Sequence, residues 1–323
     1  MVPGLSLRSP RDDSVAAREH VNVSLCRLAI WLKILSGRSN ANHDTKKAKA
    51  MSHEFQFQNA VAVVTGGTQG LGEAIARTFA ERGAKGLVIC GRNAERGHAV
   101  AREISGQGCH TEFVQADLES VEEARQVTAR ADNVFGRVDV LVNAAGITDR
   151  GTIFDTSPEL FDRMFAVNVR APFFLMQEAA KIMRREKIEG AMVNILSMSA
   201  HGGQPFITAY SGSKGALATL TKNAAFSLMP WRIRVNALNI GWMNTPGEDR
   251  IVRLYHGAQD GWLEKAVKDQ PFGRLLEPRE VARAVAFLSS SESGMMTGSV
   301  IDFDQSVAGC YESAPHPSTP ATA

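Results

Sequence analysis

The chain has 323 residues, 44% of them hydrophobic and 22% charged, which is the composition of a globular protein able to bury one large core or two modest ones. Its formal charge of +2 conceals a split: residues 1–50 hold nine Lys/Arg against four Asp/Glu, and the remainder holds 27 against 30. A mildly acidic body without a basic stripe argues against nucleic acid as the main partner. The four cysteines stand far apart with no C-x-x-C spacing, which disfavours a structural zinc site or a redox pair and fits a reducing, cytoplasmic setting.

In chain order, residues 1–50 show no sustained period. Their apolar run "VSLCRLAIWLKIL" is broken by Arg27 and Lys33 and is too short to span a bilayer. Asp12, Asp13 and Glu19 weaken a transit-peptide reading, so this segment is expected to be a disordered or adventitious leader, with Met51 as a plausible start. From residue 60, short apolar runs alternate with helix-period segments, the pattern of a parallel sheet covered on both faces. "AVAVVTG", "GLVIC", "HTEFVQA", "VDVLVNAAG", "GAMVNILS", "IRVNALNI" and "GSVIDF" read as seven strands. Helices are expected over 70–82, 94–105, 119–134, 158–186, 208–229 and 278–289; Ser157 before Pro158 provides an N-cap with proline at the first helical position. The expected fold is a single α/β, doubly wound, Rossmann-type domain over 51–310, followed by a tail at 311–323. Residues 244–272 break the alternation and read as an insertion with short helices, a substrate lid over the C-terminal edge of the sheet.

The turn "TGGTQGLG" after the first strand contains Gly66, Thr68, Gln69, Gly70, Leu71 and Gly72. Missing side chains let backbone approach a pyrophosphate, and the following helix N-terminus offers it free N–H groups. No G-K-[ST] follows, so a phosphate-transferring P-loop is disfavoured. Where an acid would bind a free ribose 2′-hydroxyl, the second strand ends in Gly91-Arg92, and a guanidinium suits a 2′-phosphate. NADP(H) is therefore the expected cofactor, with NAD the alternative if Arg92 only opens a solvated helix. Asp117, followed by Leu118, either accepts from the adenine amino group or caps the next helix. "NAAG", with Asn143, Ala144 and Gly146, ends the fourth strand in small residues against which a nucleotide can lie.

These motifs, together with Asn168 in "VNVRAPF", a serine after the fifth strand and Tyr210-x-x-x-Lys214, occur in the order and spacing of the short-chain dehydrogenase/reductase family, which the chain resembles over about residues 55–305. The resemblance implies an NAD(P)(H)-dependent oxidoreductase with a seven-stranded sheet that acts on a small alcohol or carbonyl substrate, usually as a homotetramer or homodimer. It implies that Lys214 also holds the nicotinamide ribose, that Asn168 distorts its helix and holds a water in a proton relay, and that Gly241, Met243 and Thr245 lie at the nicotinamide. An Asn in mid-helix can also simply bond back to the main chain.

The residues themselves support a proton-transfer pair. A phenol titrating near 10 is a poor base at neutral pH, and a buried ammonium one helical turn away is expected to lower it toward about 7. Tyr210 is then the acid/base. Ser197, thirteen residues before Tyr210, is expected to polarise the substrate oxygen; Ser199 is the competing serine and otherwise a pocket hydroxyl. His201 and Trp242 are candidate substrate contacts, and the eight histidines form no metal cluster in sequence. Two positions depart from the family pattern: Ile240-Gly241 replaces the usual Pro-Gly, and Asp304-Gln305-Ser306 replaces a glycine pair. The polar stretches "TDRG" at 148–151 and "GEDR" at 247–250 favour, as a second reading, an NAD-dependent sugar or polyol dehydrogenase. A third is a non-catalytic nucleotide-binding sensor, and a fourth a methyltransferase on a related fold, which would have no need of Tyr-x-x-x-Lys.

Overall fold

Strand β1 (Val61–Thr65) is the third in a seven-stranded, wholly parallel sheet ordered β3-β2-β1-β4-β5-β6-β7. The computed structural model describes residues 56–310; the expected leader and the tail at 311–323 lie outside them. The other strands are β2 (Gly86–Gly91), β3 (His110–Gln115), β4 (Val140–Asn143), β5 (Ala191–Ser197), β6 (Arg234–Ile240) and β7 (Val300–Phe303). Each expected strand is present, and the doubly wound reading holds.

Strands β1, β2 and β4 read as continuous apolar runs because both of their faces are buried. Side chains alternate across a strand, so Ala62 and Val64 join one core layer while Val61 and Val63 join the other. The first layer is closed by α1 (Gly70–Glu81), through Ile75 and Phe79, and by α9 (Pro278–Ser289), through Val281 and Val285. The second is closed by α3 (Val121–Phe135) and α5 (Ala171–Arg185), through Val127, Ala131, Leu175 and Met183. α2 (Ala94–Gly106) begins at Asn93, whose side chain accepts from Arg96 N, and α3 ends at Gly136 in the left-handed region.

One helical segment differs from the periodicity, and the 244–272 segment contains the short helices expected of it. The single helix expected over 158–186 is α4 (Pro158–Phe165) and α5 separated by a π-helical turn at Ala166–Arg170, with Asn168 in that turn. The 244–272 segment holds α7 (Pro246–His256), capped by Thr245, and α8 (Trp262–Lys268). Between β5 and β6 runs α6 (Thr208–Leu228), the 21-residue helix that includes Tyr210 and Lys214. Among the described residues, no helix is long and apolar enough to cross a membrane.

Because β1 leads to β2 on one side and β4 lies on the other, the strand order reverses between β1 and β4. A crevice opens there at the carboxyl ends of the strands, the place where parallel α/β sheets bind ligands.

Candidate active site

The crevice floor is built from close backbone approaches that only glycine permits. A Cβ on Gly66 would lie 3.0 Å from the Ala145 Cα, and one on Gly72 would overlap the Gly66 carbonyl oxygen. Gly66 and Gly70 both have positive φ, at 67° and 56°. Gly72→Ala is accordingly expected to cost about 1–3 kcal/mol through forced displacement of backbone, which a urea melt measures as a lower midpoint at unchanged slope. Thr65 fastens the two nucleotide-facing turns together: its Oγ1 accepts from Ala144 N and Ala145 N, both at 3.0 Å. Periodicity gave no sign of this clasp; the threonine opening the glycine motif was its one trace.

Around the expected adenosine end, Thr68 is buried beside Gly91, and Leu71 and Leu118 are buried. Gln69 precedes α1 without capping it and instead accepts from Arg96. Arg92 donates no side-chain hydrogen bond among the described residues; only its carbonyl is engaged, by Gln115. Asp117 is not the helix cap. Ser120 caps α3, and Asp117 Oδ1 accepts from Glu119 N at 3.0 Å in a local turn.

A buried amide chain supports the end of β4. Asn143 donates to Asn194 Oδ1 at 2.8 Å, and Asn194 donates to Thr221 Oγ1 at 2.9 Å, while Asn143 Oδ1 has no partner among the described residues. Gly146 then lies between two polar groups: a Cβ there would be 3.3 Å from Asn168 Oδ1 and 3.5 Å from Lys214 Nζ. Asn168 is fully buried and clasps Ile147, accepting from its N–H and donating to its carbonyl, each at 3.0 Å, and donates to Ser213 at 3.1 Å. Its amide thus anchors the loop after β4 to the π-helical turn.

Tyr210 and Lys214 share one face of α6, with the amine 5.7 Å from the phenol ring centre. Lys214 is 4% exposed and donates to Ile195 O at 2.8 Å. Burial pushes the Lys214 ammonium down to about 8. The expectation that this amine draws the phenol toward neutrality is reversed in the protein alone. Desolvation pushes Tyr210 up to about 12, a Ser197 hydrogen bond and the Arg150 charge oppose the rise, and Glu248 adds to it. The physical reason is that the half-buried phenolate loses its water while the ammonium directs a proton at a carbonyl.

The geometry separates the two serines. Ser197 reaches Tyr210, and its Oγ accepts from Ser199 N at 3.2 Å and Ser199 Oγ at 3.0 Å, which leaves its own O–H to donate outward. Ser199 is buried behind it. His201 has partners of its own: its Nε2 is 2.8 Å from Asp302 Oδ1 and 3.1 Å from Asn239 Nδ2, a fastening of the 198–201 turn to β6 and β7. Trp242 is stacked on Trp262 with ring centres 6.0 Å apart and donates to Glu248 at 2.8 Å.

Of the two departures from the family pattern, Asp304-Gln305-Ser306 is tied into the fold locally. Gly241 stands against Asp304, whose carboxylate a Cβ would overlap, and Gly241 N donates to Phe303 O at 3.2 Å. Gln305 accepts from Phe272 N and donates to Gln270 Oε1 and Arg274 O, each at 2.9 Å, which pins the end of the 244–272 segment. Thr245, the α7 cap, lies opposite the glycine turn, 3.6 Å from where a Gly70 Cβ would stand; Met243 is buried and bridges Leu276.

The family model described as Enoyl-(Acyl carrier protein) reductase matches residues 66–306. The chain belongs to the short-chain dehydrogenase/reductase family. This family member is 33% identical to the NADP-dependent (R)-specific alcohol dehydrogenase of Lentilactobacillus kefiri, over 75% of the chain and 94% of that protein. It is 33% identical to versicolorin reductase 1 of Aspergillus parasiticus, over 79% and 98%. A solved short-chain type dehydrogenase/reductase from Mycobacterium marinum superposes with a TM-score of 0.71 at 28% identity, covering 79% of the chain and 98% of that structure. It is thus an oxidoreductase acting on CH–OH/C=O groups with an NAD(P) cofactor. The glycine turn leading into α1, with room at Gly70, and the Asn143 acceptor without a partner among the described residues fit such a dinucleotide.

Proposed function

We propose that the protein interconverts a ketone and a secondary alcohol with NADP(H), with Tyr210 as the general acid/base. The observation that carries this reading is the convergence of Tyr210, Lys214 and Ser197 at the carboxyl ends of β5 and the start of α6, beside the glycine cradle. When bound, the nicotinamide supplies or accepts the hydride. In the reducing direction the carbonyl π bond opens, its carbon gains the hydride, and its oxygen takes the Tyr210 proton. Ser197, which accepts from Ser199 on its inner side, directs its O–H at that oxygen and stabilises the charge developing there. Lys214 holds the ribose and, with Asn168 fixing the neighbouring loop, provides the polar floor through which the phenol regains its proton. A phenol pushed up to about 12 is fully protonated at neutral pH, which suits proton donation to a carbonyl.

The 2′-phosphate preference rests on the unengaged Arg92 guanidinium, with Arg96 beside it on Gln69, and on the NADP dependence of the kefiri relative. The 244–272 segment acts as a lid over the substrate, and a homotetramer or homodimer is the assembly that accompanies this reading. Absorbance at 340 nm with a panel of ketones tests it: turnover with NADPH should exceed that with NADH at least about tenfold, and Arg92→Asp should erase or invert that ratio. Equal use of both cofactors by the parent, unchanged in the variant, would remove Arg92 from the ribose pocket. A protein that binds NADPH yet reduces no ketone in the panel would revive the sensor reading.

A further inference from the structure

Two opposite charges, one from the loop after β4 and one from α7, act on the Tyr210 phenol. Arg150 belongs to the loop after β4, which is laid along the lead-in to α6: Gly151 N donates to Phe206 O at 2.9 Å, and Gly151 bridges Ile207, three residues before Tyr210. The Arg150 guanidinium lies over the Phe206 ring at 5.4 Å; its Nη1 donates to Thr148 O at 2.9 Å and its Nε to His256 Nε2 at 3.3 Å. Its Nη2 has no partner among the described residues. Glu248 lies in the first turn of α7, fixed by the Thr245 cap on its N–H; its Oε1 accepts from Trp242 Nε1 at 2.8 Å, and its Oε2 accepts from nothing among the described residues. The two side chains form no ion pair with each other, although both act on the Tyr210 oxygen through space, in opposite senses.

Both groups are half-buried, so whatever closes over them must replace their water. An apolar ketone would leave a guanidinium N–H and a carboxylate oxygen unpaired. An anionic substrate would be held by Arg150 and repelled by Glu248. A neutral chain of hydroxyls satisfies both, since one hydroxyl can donate to the carboxylate while another accepts from the guanidinium.

We propose that the substrate is a polyhydroxylated ketone or the corresponding polyol, of the sugar class, whose hydroxyls beside the reacting carbon donate to Glu248 Oε2 and accept from Arg150 Nη2; this rests on the carbonyl-reducing function above. Arg150 and Glu248 are then specificity-determining residues for that reaction. The test follows NADPH oxidation with erythrulose, an open-chain four-carbon ketose, and with 2-octanone, an apolar ketone. The parent is expected to favour erythrulose in kcat/KM by about 100-fold, and Glu248→Gln and Arg150→Met should each lower that ratio by about 10–100-fold, chiefly through KM. Thermal melts establish that each variant folds, and Glu248→Asp, which keeps the carboxylate, should recover part of the lost ratio. Preference for 2-octanone, no turnover of erythrulose, or variants that slow both ketones alike would overturn the proposal, the last outcome marking the pair as a latch between lid and loop. If 2-octanone alone is reduced, only the substrate class fails. If neither ketone is reduced and NADPH fluorescence shows no binding, the oxidoreductase reading fails beneath it.

Discussion

Tyr210→Phe is expected to lower kcat/KM for ketone reduction by about 10²–10⁴-fold, the range in which positioned acid/base groups contribute. The ring is retained and only the hydroxyl is lost. That hydroxyl has already surrendered water on burial and has Ser197 as its hydrogen-bonding partner, so stability should change by no more than about 1 kcal/mol. Loss of rate with retained folding therefore separates a chemical role from a structural one. The pH profile gives the sign independently. Reduction needs the protonated phenol, and a phenol pushed up to about 12 keeps its proton across the neutral range. The parent's reduction rate should stay level from about pH 5.5 to 7, below the titration of Lys214, while alcohol oxidation, which needs the phenolate, should rise with pH. A phenylalanine variant within threefold of the parent, or a reduction rate falling through pH 7, would contradict this assignment.

Much of the scaffold was readable because it repeats. Seven short, mostly apolar runs announce a parallel sheet wherever helices of period 3.6 separate them, and Ser157 marks a helix start by its capping chemistry. The glycine turn and Tyr210-x-x-x-Lys214 were readable for a different reason: each is a short-range constraint in which backbone approach or a shared helix face dictates residue type at fixed spacing. What escaped notice depends on contacts between distant segments. The helical pattern around Asn168 is uninterrupted, and its distortion there was expected only from the family resemblance; the pair of hydrogen bonds to Ile147, 21 positions away, shows what the π-helical turn serves. His201 has the right place in sequence to meet a substrate, yet Asp302, 101 positions on, takes its imidazole. Arg150 and Glu248 were visible only as members of two polar stretches, TDRG and GEDR; that both act on one phenol depends on how β4, α6 and α7 are arranged. The direction of the Tyr210 shift was misjudged for a related reason: helix spacing locates a cation but says nothing of how much water the same fold removes from both groups.

Lys214→Met should abolish most activity and yet stabilise the protein, which distinguishes a group retained for chemistry from one retained for folding. Lys214 is 4% exposed, and its ammonium has Ile195 O as its partner. Its fall from 10.5 to about 8 corresponds to a penalty of about 3 kcal/mol for holding the charge at neutral pH, at about 1.4 kcal/mol per unit. Methionine fills the same path with an unbranched apolar chain, so a gain of about 1–3 kcal/mol at pH 7 is expected after the carbonyl hydrogen bond is lost. The sign follows from linkage. With the folded value below the unfolded one, the unfolded chain binds more protons between about pH 8 and 10.5, and stability rises with pH across that window; it is lost as pH falls through 8. Tyr210 acts oppositely and later, since its raised value lets stability fall only as pH climbs from about 10 toward 12. Urea melts of the cofactor-free parent should therefore show stability rising from pH 7.5 to 9.5, and the methionine variant should be flat there and more stable at the lower end. A variant less stable at pH 7 that keeps the parent's pH slope would mean the ammonium is well solvated or paired by the fold, and that its place beside Tyr210 is structural.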